Sequence, residues 1–193
     1  MTLILASSSP RRRQLLHSIG LEFDVVPADA DETELAGESP VDYVGRIAAL
    51  KARLVAERLD APQSVAVLAA DTTVDVDGSV QAKPVDDADA RRMLRRLSGR
   101  THQVHTAVFG WTSGGEHSVT VTTDVTFARL SDDGIGWYLS IGEHRDKAGA
   151  YGMQGAGAAL VRRIEGSPSN VIGLPLVETI GVLRACGVAV AGG

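Results

Sequence analysis

The first apolar run, Thr2 to Ala6, has the length of a buried strand and stops at Ser-Ser-Ser-Pro. Ser9 before Pro10 is a helix-start signal, a capping hydroxyl followed by a residue whose fixed φ suits the first turn. A helix is therefore predicted directly after the strand, ending at Gly20. Phe23 to Val26 predicts a second short strand. Asp29 to Glu38 is acidic and aperiodic, a loop closed by a second start signal at Ser39-Pro40. From Val41 to Leu59 apolar residues recur at helical spacing, through Val44, Ile47, Ala48, Leu54 and Val55. Ser64 to Ala70 is a continuous apolar run, the pattern of a central strand covered on both faces. Asp71 ends that run abruptly, so its carboxylate is predicted at the strand's tip.

Asp77-Gly78 between Thr73–Val76 and Ser79–Ala82 is a tight hairpin signal. Asp86 to Leu97 reads as a helix that stops at Gly99, and Val104–Trp111 with Val119–Phe127 as a longer hairpin around Gly114-Gly115. Ser131 to Ile141 predicts another helix. The glycine-rich stretch from Gly149 to Gly157 leads to a strand over Ala158–Ile164, and a last helix runs from about Pro175 to Ala185. Helical and extended patterns alternate with no internal repeat or long linker. This predicts a single α/β domain over 1–193, with a mixed central sheet flanked by helices and two lobes sharing a cleft. Polar residues gather at strand ends and strand-to-helix turns, where such folds place ligands.

Composition narrows the function classes. With 193 residues, 44% apolar and 22% charged, the chain has the make-up of a globular protein that can bury a sizeable core. Its one apolar N-terminal run is too short for a secretory signal or a membrane span, so a cytoplasmic protein without a membrane partner is expected. The single cysteine, Cys186, excludes an internal disulfide and a cysteine-based zinc site, and its apolar neighbours predict packing. A net charge of −5 argues against a polymeric nucleic acid as partner but leaves room for a small anion. Arg91, Arg92, Arg95 and Arg96 are expected on a solvated helix face. Lys51, Lys83 and Lys147 are the only three lysines beside sixteen arginines. In so arginine-rich a chain they mark positions where a compact ammonium is wanted rather than a planar fork.

The residues with chemistry to offer form several groups. Ser7, Ser9, free helix N–H groups and Arg11 to Arg13 share one strand-to-helix turn, a combination that binds phosphate, with Arg12 able to present a fork to its oxygens. The alternative for this segment by itself is a capped helix with surface cations. Asp71, if buried, needs a cation beside it. That cation is Lys51 or Lys83, or a hard divalent metal such as magnesium or manganese held jointly with Glu32. Asp71 as acceptor of a proton from an attacking water is a further alternative. Gln154 has the donor and acceptor needed to read a base edge, and Thr72 could do similar work beside Asp71. His102 and His105, an odd number of strand positions apart, are expected on opposite faces in structural roles.

Taken in order, Leu5-Ala-Ser-Ser-Ser-Pro-Arg-Arg, Ala70-Asp-Thr-Thr-Val, Lys83-Pro, Leu97-Ser-Gly-Arg, Asp146-Lys-Ala-Gly-Ala-Tyr-Gly-Met-Gln-Gly and Glu165-Gly-Ser-Pro-Ser-Asn-Val-Ile-Gly-Leu-Pro-Leu resemble the Maf family of nucleotide pyrophosphatases. The resemblance implies an elongated α/β structure with a nucleotide cleft, divalent-metal-dependent cleavage to a nucleoside monophosphate and pyrophosphate, and a homodimer. It makes Asp71 the catalytic carboxylate, and Ser7, Arg12, Glu32, Lys51 and Lys83 the positions that handle phosphate and metal. Arg12, Thr72 and Gln154 resemble the specificity positions of the branch acting on dTTP and UTP. Two other readings stand beside this one, a non-catalytic nucleotide-binding regulator of cell division and a house-cleaning enzyme for modified purine triphosphates.

Overall fold

The computed structural model describes residues 1–190, so the last three residues of the expected domain lie outside the described residues. Seven strands form one sheet in the order β2-β1-β3-β5-β6-β7, with β4 beside β3. β1 (Thr2–Leu5) runs parallel to both β2 (Asp24–Val25) and the long β3 (Val65–Val76). The remaining pairings, through β4 (Ser79–Gln81), β5 (Thr101–Thr112), β6 (Gly115–Phe127) and β7 (Val161–Glu165), are antiparallel. The mixed α/β class is the one the sequence pattern predicts.

Strand β3 decides the shape. Its first residues pair with β1 as far as Leu68, and its last, from Val74, pair with β4. Among the described residues the stretch Ala69–Thr73 has no strand on that side. There the sheet forks into two lobes, while β5 continues along the other edge of β3 without a break. The expectation that the strand stops at Asp71 is corrected by this geometry. β-Branched Thr72, Thr73, Val74 and Val76 carry the extended backbone onward, and Asp71, paired with Ala107, sits in mid-strand. Other boundaries move for similar reasons. The β5–β6 hairpin is longer than predicted because its threonine-rich ends remain paired, and Ala158 begins no strand, since Ala156–Leu160 is a 3-10 turn before β7.

Helix α1 (Pro10–Ser18) starts at Ser9, whose hydroxyl accepts from the N–H of Arg12, with proline at the first helical position. The next three helices also begin at side-chain caps, the first of them at the second start signal. Ser39 caps α2 (Pro40–Ala56), Asp86 caps α3 (Asp87–Leu97) and Ser131 caps α4 (Asp132–Ile141). A short α5 (Pro168–Ile172), which the apolar pattern does not predict, precedes α6 (Leu176–Ala185). The apolar face of α2, through Val44, Ile47, Ala48 and Val55, packs on one side of the sheet against Val67, Ala69 and Ala107. Alternation along the strands turns Leu68, Ala70 and Val108 to the other side, where they meet Leu15, Leu16, Val182 and Leu183 of α1 and α6. Further along that side Val74, Val76, Val104 and Phe127 meet Met93, Leu94, Ile135 and Tyr138 of α3 and α4.

Cys186 is buried among apolar residues, and Gly110 explains how α6 comes so close. A Cβ there would lie 2.6 Å from its Sγ and 2.7 Å from Val182 Cγ1. The arginines of α3 reach outward, Arg92 to Asp89, Arg95 to Asp132 and Arg96 to the carbonyl of Val76. His102 and His105 are both buried on β5, the first bonded to the Tyr151 hydroxyl at 2.8 Å, the second to Thr122 at 2.8 Å and Asp75 at 3.3 Å.

Candidate functional site

The fork in the sheet opens into a cleft of about 940 Å³ whose wall includes Ser7, Arg12, Glu32, Lys51, Asp71, Thr72, Lys83 and Gln154, every site residue expected from the sequence. Asp71 is 7% exposed, and its Oδ1 accepts from Lys51 Nζ at 2.7 Å. The same ammonium lies 2.6 Å from Glu32 Oε1. Lys51 comes from the buried side of α2 and Glu32 from the acidic loop before it, so three elements meet on one charge.

Electrostatics separate the two carboxylates. Burial pushes the Asp71 carboxyl above the usual aspartate range, against the opposing pull of Lys51 and Arg12. At Glu32 burial also works upward, but the hydrogen bond and charge of Lys51, with Lys83 and Arg12 beyond, outweigh it and leave the group below its ordinary value. Burial thus favours the protonated form of one carboxyl, while Lys51 favours the ionised form of its neighbour.

Arg12 forms the second centre. Although buried, it donates through Nε to the Gly173 carbonyl at 2.9 Å, through Nη1 to Ser7 Oγ at 3.1 Å and through Nη2 to Thr72 Oγ1 at 3.1 Å. Burial lowers its pKa while the charge of Asp71 works to raise it, and a guanidinium remains protonated regardless. Ser7 also accepts from the N–H of Ser9 at 3.2 Å. The Thr72 hydroxyl lies 2.9 Å from Thr106 Oγ1, and Thr106 donates on to the carbonyl of Asn170 at 3.1 Å. Because that proton is committed to a carbonyl, Thr106 accepts from Thr72, and Thr72 in turn offers a lone pair to Arg12. Asn170, fully buried, donates to Val104 O and Thr123 Oγ1, both at 2.9 Å, which fixes α5 and with it the Gly173 carbonyl.

Lys83 is exposed on the cleft wall after β4, held beside Pro84. Lys147 is turned inward, bonded to Asp146 at 2.7 Å and to the carbonyl of Glu143, and Arg11 reaches Asp146 at 3.3 Å from the opposite lobe. Gln154 is exposed beyond it. Sequence reasoning missed Tyr43, Thr106, Asn170 and Glu143. Tyr43 donates to the Glu32 carbonyl at 3.0 Å, and Arg46 binds Glu38 at 2.6 and 2.7 Å and the Thr33 carbonyl at 3.0 Å, so α2 holds the acidic loop in place. Burial, with the charges of Asp71 and Glu32 near it, pushes the Tyr43 hydroxyl up to about 12. The one available signal was a helix start, Ser-Pro-Ser-Asn, placing Asn170 on α5; a polar residue's partners across strands leave no trace in its own neighbours.

A mixed α/β fold that sets ammonium groups, a guanidinium and hydroxyls around a buried carboxylate defines a protein built to handle a small polyanion. The chain belongs to the Maf family, whose model, described as Maf-like protein, matches residues 2–186. A protein of Methylobacillus flagellatus described as dTTP/UTP pyrophosphatase is 52% identical over 188 residues, covering 97% of this chain and 94% of its own. One from Anaeromyxobacter dehalogenans with the same description is 53% identical over 189 residues, covering 96% and 94%. Among solved structures, the nucleoside-triphosphatase / dITP/XTP pyrophosphatase of Mycobacterium abscessus aligns over 96% of this chain and 98% of its own, with a TM-score of 0.49 and 20% identity.

Proposed function

We propose that the chain hydrolyses dTTP and UTP to the nucleoside monophosphate and pyrophosphate, by attack of water on the α-phosphorus in line with the departing pyrophosphate. The observation that carries this reading is the Asp71–Lys51–Glu32 cluster in the cleft, next to Ser7 and Arg12. Relatives about 50% identical over almost the whole chain, and named for that activity, support the substrate.

Asp71 takes the water's proton. Its Oδ1 is held by Lys51, leaving Oδ2 for the water, and burial moves the carboxyl toward the pH at which a base works. Arg12 and Lys83 hold the triphosphate, and Ser7, which accepts both of its protein hydrogen bonds, keeps its own proton for a phosphate oxygen. Lys51 steadies the carboxylates, so that positioning and charge complementarity supply most of the rate. Gln154 reads the base, and Thr72 serves specificity by fixing Arg12.

Magnesium or manganese fits the same point. Two carboxylates converge there on one ammonium, and such ions take one or two carboxylates with phosphate and water oxygens. Glu32 would hold the ion, with Asp71 as its second ligand in the alternative to serving as base, and the chemistry it supplies when bound is neutralisation of charge on the phosphate oxygens.

Pyrophosphate release from dTTP, UTP, CTP, 7-methyl-GTP and ITP, with magnesium or manganese added, tests the proposal. The two uridine-like substrates are expected to be cleaved fastest, and equal rates on the purines would overturn the roles given to Thr72 and Gln154. Among the described residues no helix is long and apolar enough to cross a membrane. The proposed setting is the cytoplasm and the proposed functional unit a homodimer, as the family resemblance implies. Sedimentation velocity is expected to give twice the chain mass, and a monomer at micromolar concentration would refute the dimer.

A further inference from the structure

Beyond Gln154, the base end of the cleft is built on a carboxylate that the proposed chemistry does not use. Glu143 follows α4 and is half-buried. Its Oε1 accepts from the N–H of Ala156 at 2.9 Å and its Oε2 from the N–H of Gly157 at 3.2 Å. These are the first N–H groups of the 3-10 turn Ala156–Leu160, whose own cap position, Gly155, supplies no side chain to them. A carboxylate thirteen residues earlier therefore does the capping, through two charge-assisted bonds to one loop.

The loop is shaped around that carboxylate. A Cβ at Gly155 would collide with Glu143 Oε1, and one at Gly157 would collide with the Gly152 carbonyl, so both positions must be bare for the chain to wrap this closely. The other end of the loop is held by Tyr138, whose hydroxyl accepts from the N–H of Gly152 at 3.2 Å. Lys147 lies along Gly152, and its ammonium returns to the Glu143 carbonyl. Gln154 is thus carried on a loop pinned before and after it, its side chain exposed at the cleft wall.

We propose that Glu143 is a positioning residue for base selection: by fixing the backbone on the far side of Gln154 it sets where that amide meets the pyrimidine edge. The inference rests on the reading of Gln154 as the base-contacting residue. A carboxylate is required because both partners are donors, and a glutamine in its place would turn an N–H₂ toward one of them.

The test compares Glu143→Ala with the unmodified chain in pyrophosphate release from UTP, dTTP and CTP, with inorganic pyrophosphate as a competitive inhibitor that probes the phosphate end alone. The expected result is a KM for UTP raised about tenfold and a UTP-over-CTP preference lowered by a similar factor, with kcat and the inhibition constant of pyrophosphate changed much less. A KM and a pyrophosphate inhibition constant that rise together, or an unchanged preference, would overturn it, since a merely structural residue gives one or the other. Should Glu143→Ala fail to fold, Gly155→Ala presses on the same contact from the opposite side. It is expected to lose the same preference, and retention of the preference overturns the inference. Gln154→Ala separates the two levels. If it leaves the preference intact, the reading of Gln154 falls and this inference with it. If it abolishes the preference while Glu143→Ala does not, only the role of Glu143 is refuted.

Discussion

Asp71→Asn is expected to lower kcat for pyrophosphate release from dTTP by at least about a hundredfold, the lower end of what a positioned base contributes. The fold should survive the change. Asparagine matches aspartate in size, can still accept from Lys51 Nζ with its amide oxygen, and carries no charge to be desolvated in mid-strand. The direction of the effect on stability follows from the raised carboxyl pKa. A group that binds its proton more tightly in the folded state contributes stability at low pH, and that contribution is lost as the pH rises from the unfolded-state value through the folded one. Ionisation of Asp71 therefore weakens the ligand-free protein, and asparagine, which matches the uncharged form, removes the penalty. Thermal unfolding at pH 7 should show a midpoint equal to or above that of the unmodified chain. Near-normal turnover by a folded Asp71→Asn protein would remove Asp71 from the mechanism altogether.

Lys51→Met should be nearly as damaging, for a different reason. Methionine fills the space along α2 but takes the shared cation from Asp71 and Glu32. Removing a preorganised charge from a phosphoryl-transfer site costs about 10²–10³ in kcat. Lys51 is the strongest of the influences that hold the Asp71 pKa down, so without it that pKa rises further. The acidic limb of the rate profile, where activity appears as Asp71 loses its proton, must then move to higher pH. Stability should fall by about 1–3 kcal/mol, the cost of stranding a buried polar group, and not more, because Glu32 reaches solvent and Asp71 can take up a proton. A Lys51→Met protein with an unshifted acidic limb would show that Lys51 does not govern the ionisation of Asp71.

The two variants probe features with very different visibility in the chain. Helix starts at Ser9-Pro10, Ser39-Pro40 and Ser131, and the Asp77-Gly78 turn, are chemistry between residues two or three apart, and each acts in the structure as its sequence indicates. Apolar periodicity likewise placed Val44, Ile47 and Val55 of α2 in the core. At Asp71 composition changes while the backbone does not. A charged residue after six apolar ones looks like an exit to solvent, but the strand beside it, β5, kept on pairing and held the chain extended.

Sequence by itself determined the fold class, the caps, the core faces of the long elements and, through the ordered motifs, which residues line the cleft. Those properties depend on local spacing or on residue identity, both of which can be read along a line. Tertiary structure decided that β1 ends and β4 begins on either side of Asp71, which opens the cleft there, and that its side chain, on the same face of β3 as Val67 and Ala69, meets the Lys51 ammonium of α2. It also decided that Thr72 meets Arg12, and that Glu143 holds a loop thirteen residues away. Each is a hydrogen bond between groups brought together by strand register or by a turn of the backbone. A buried donor or acceptor is satisfied by whatever lies across from it in space, and the sequence around it does not say what that will be.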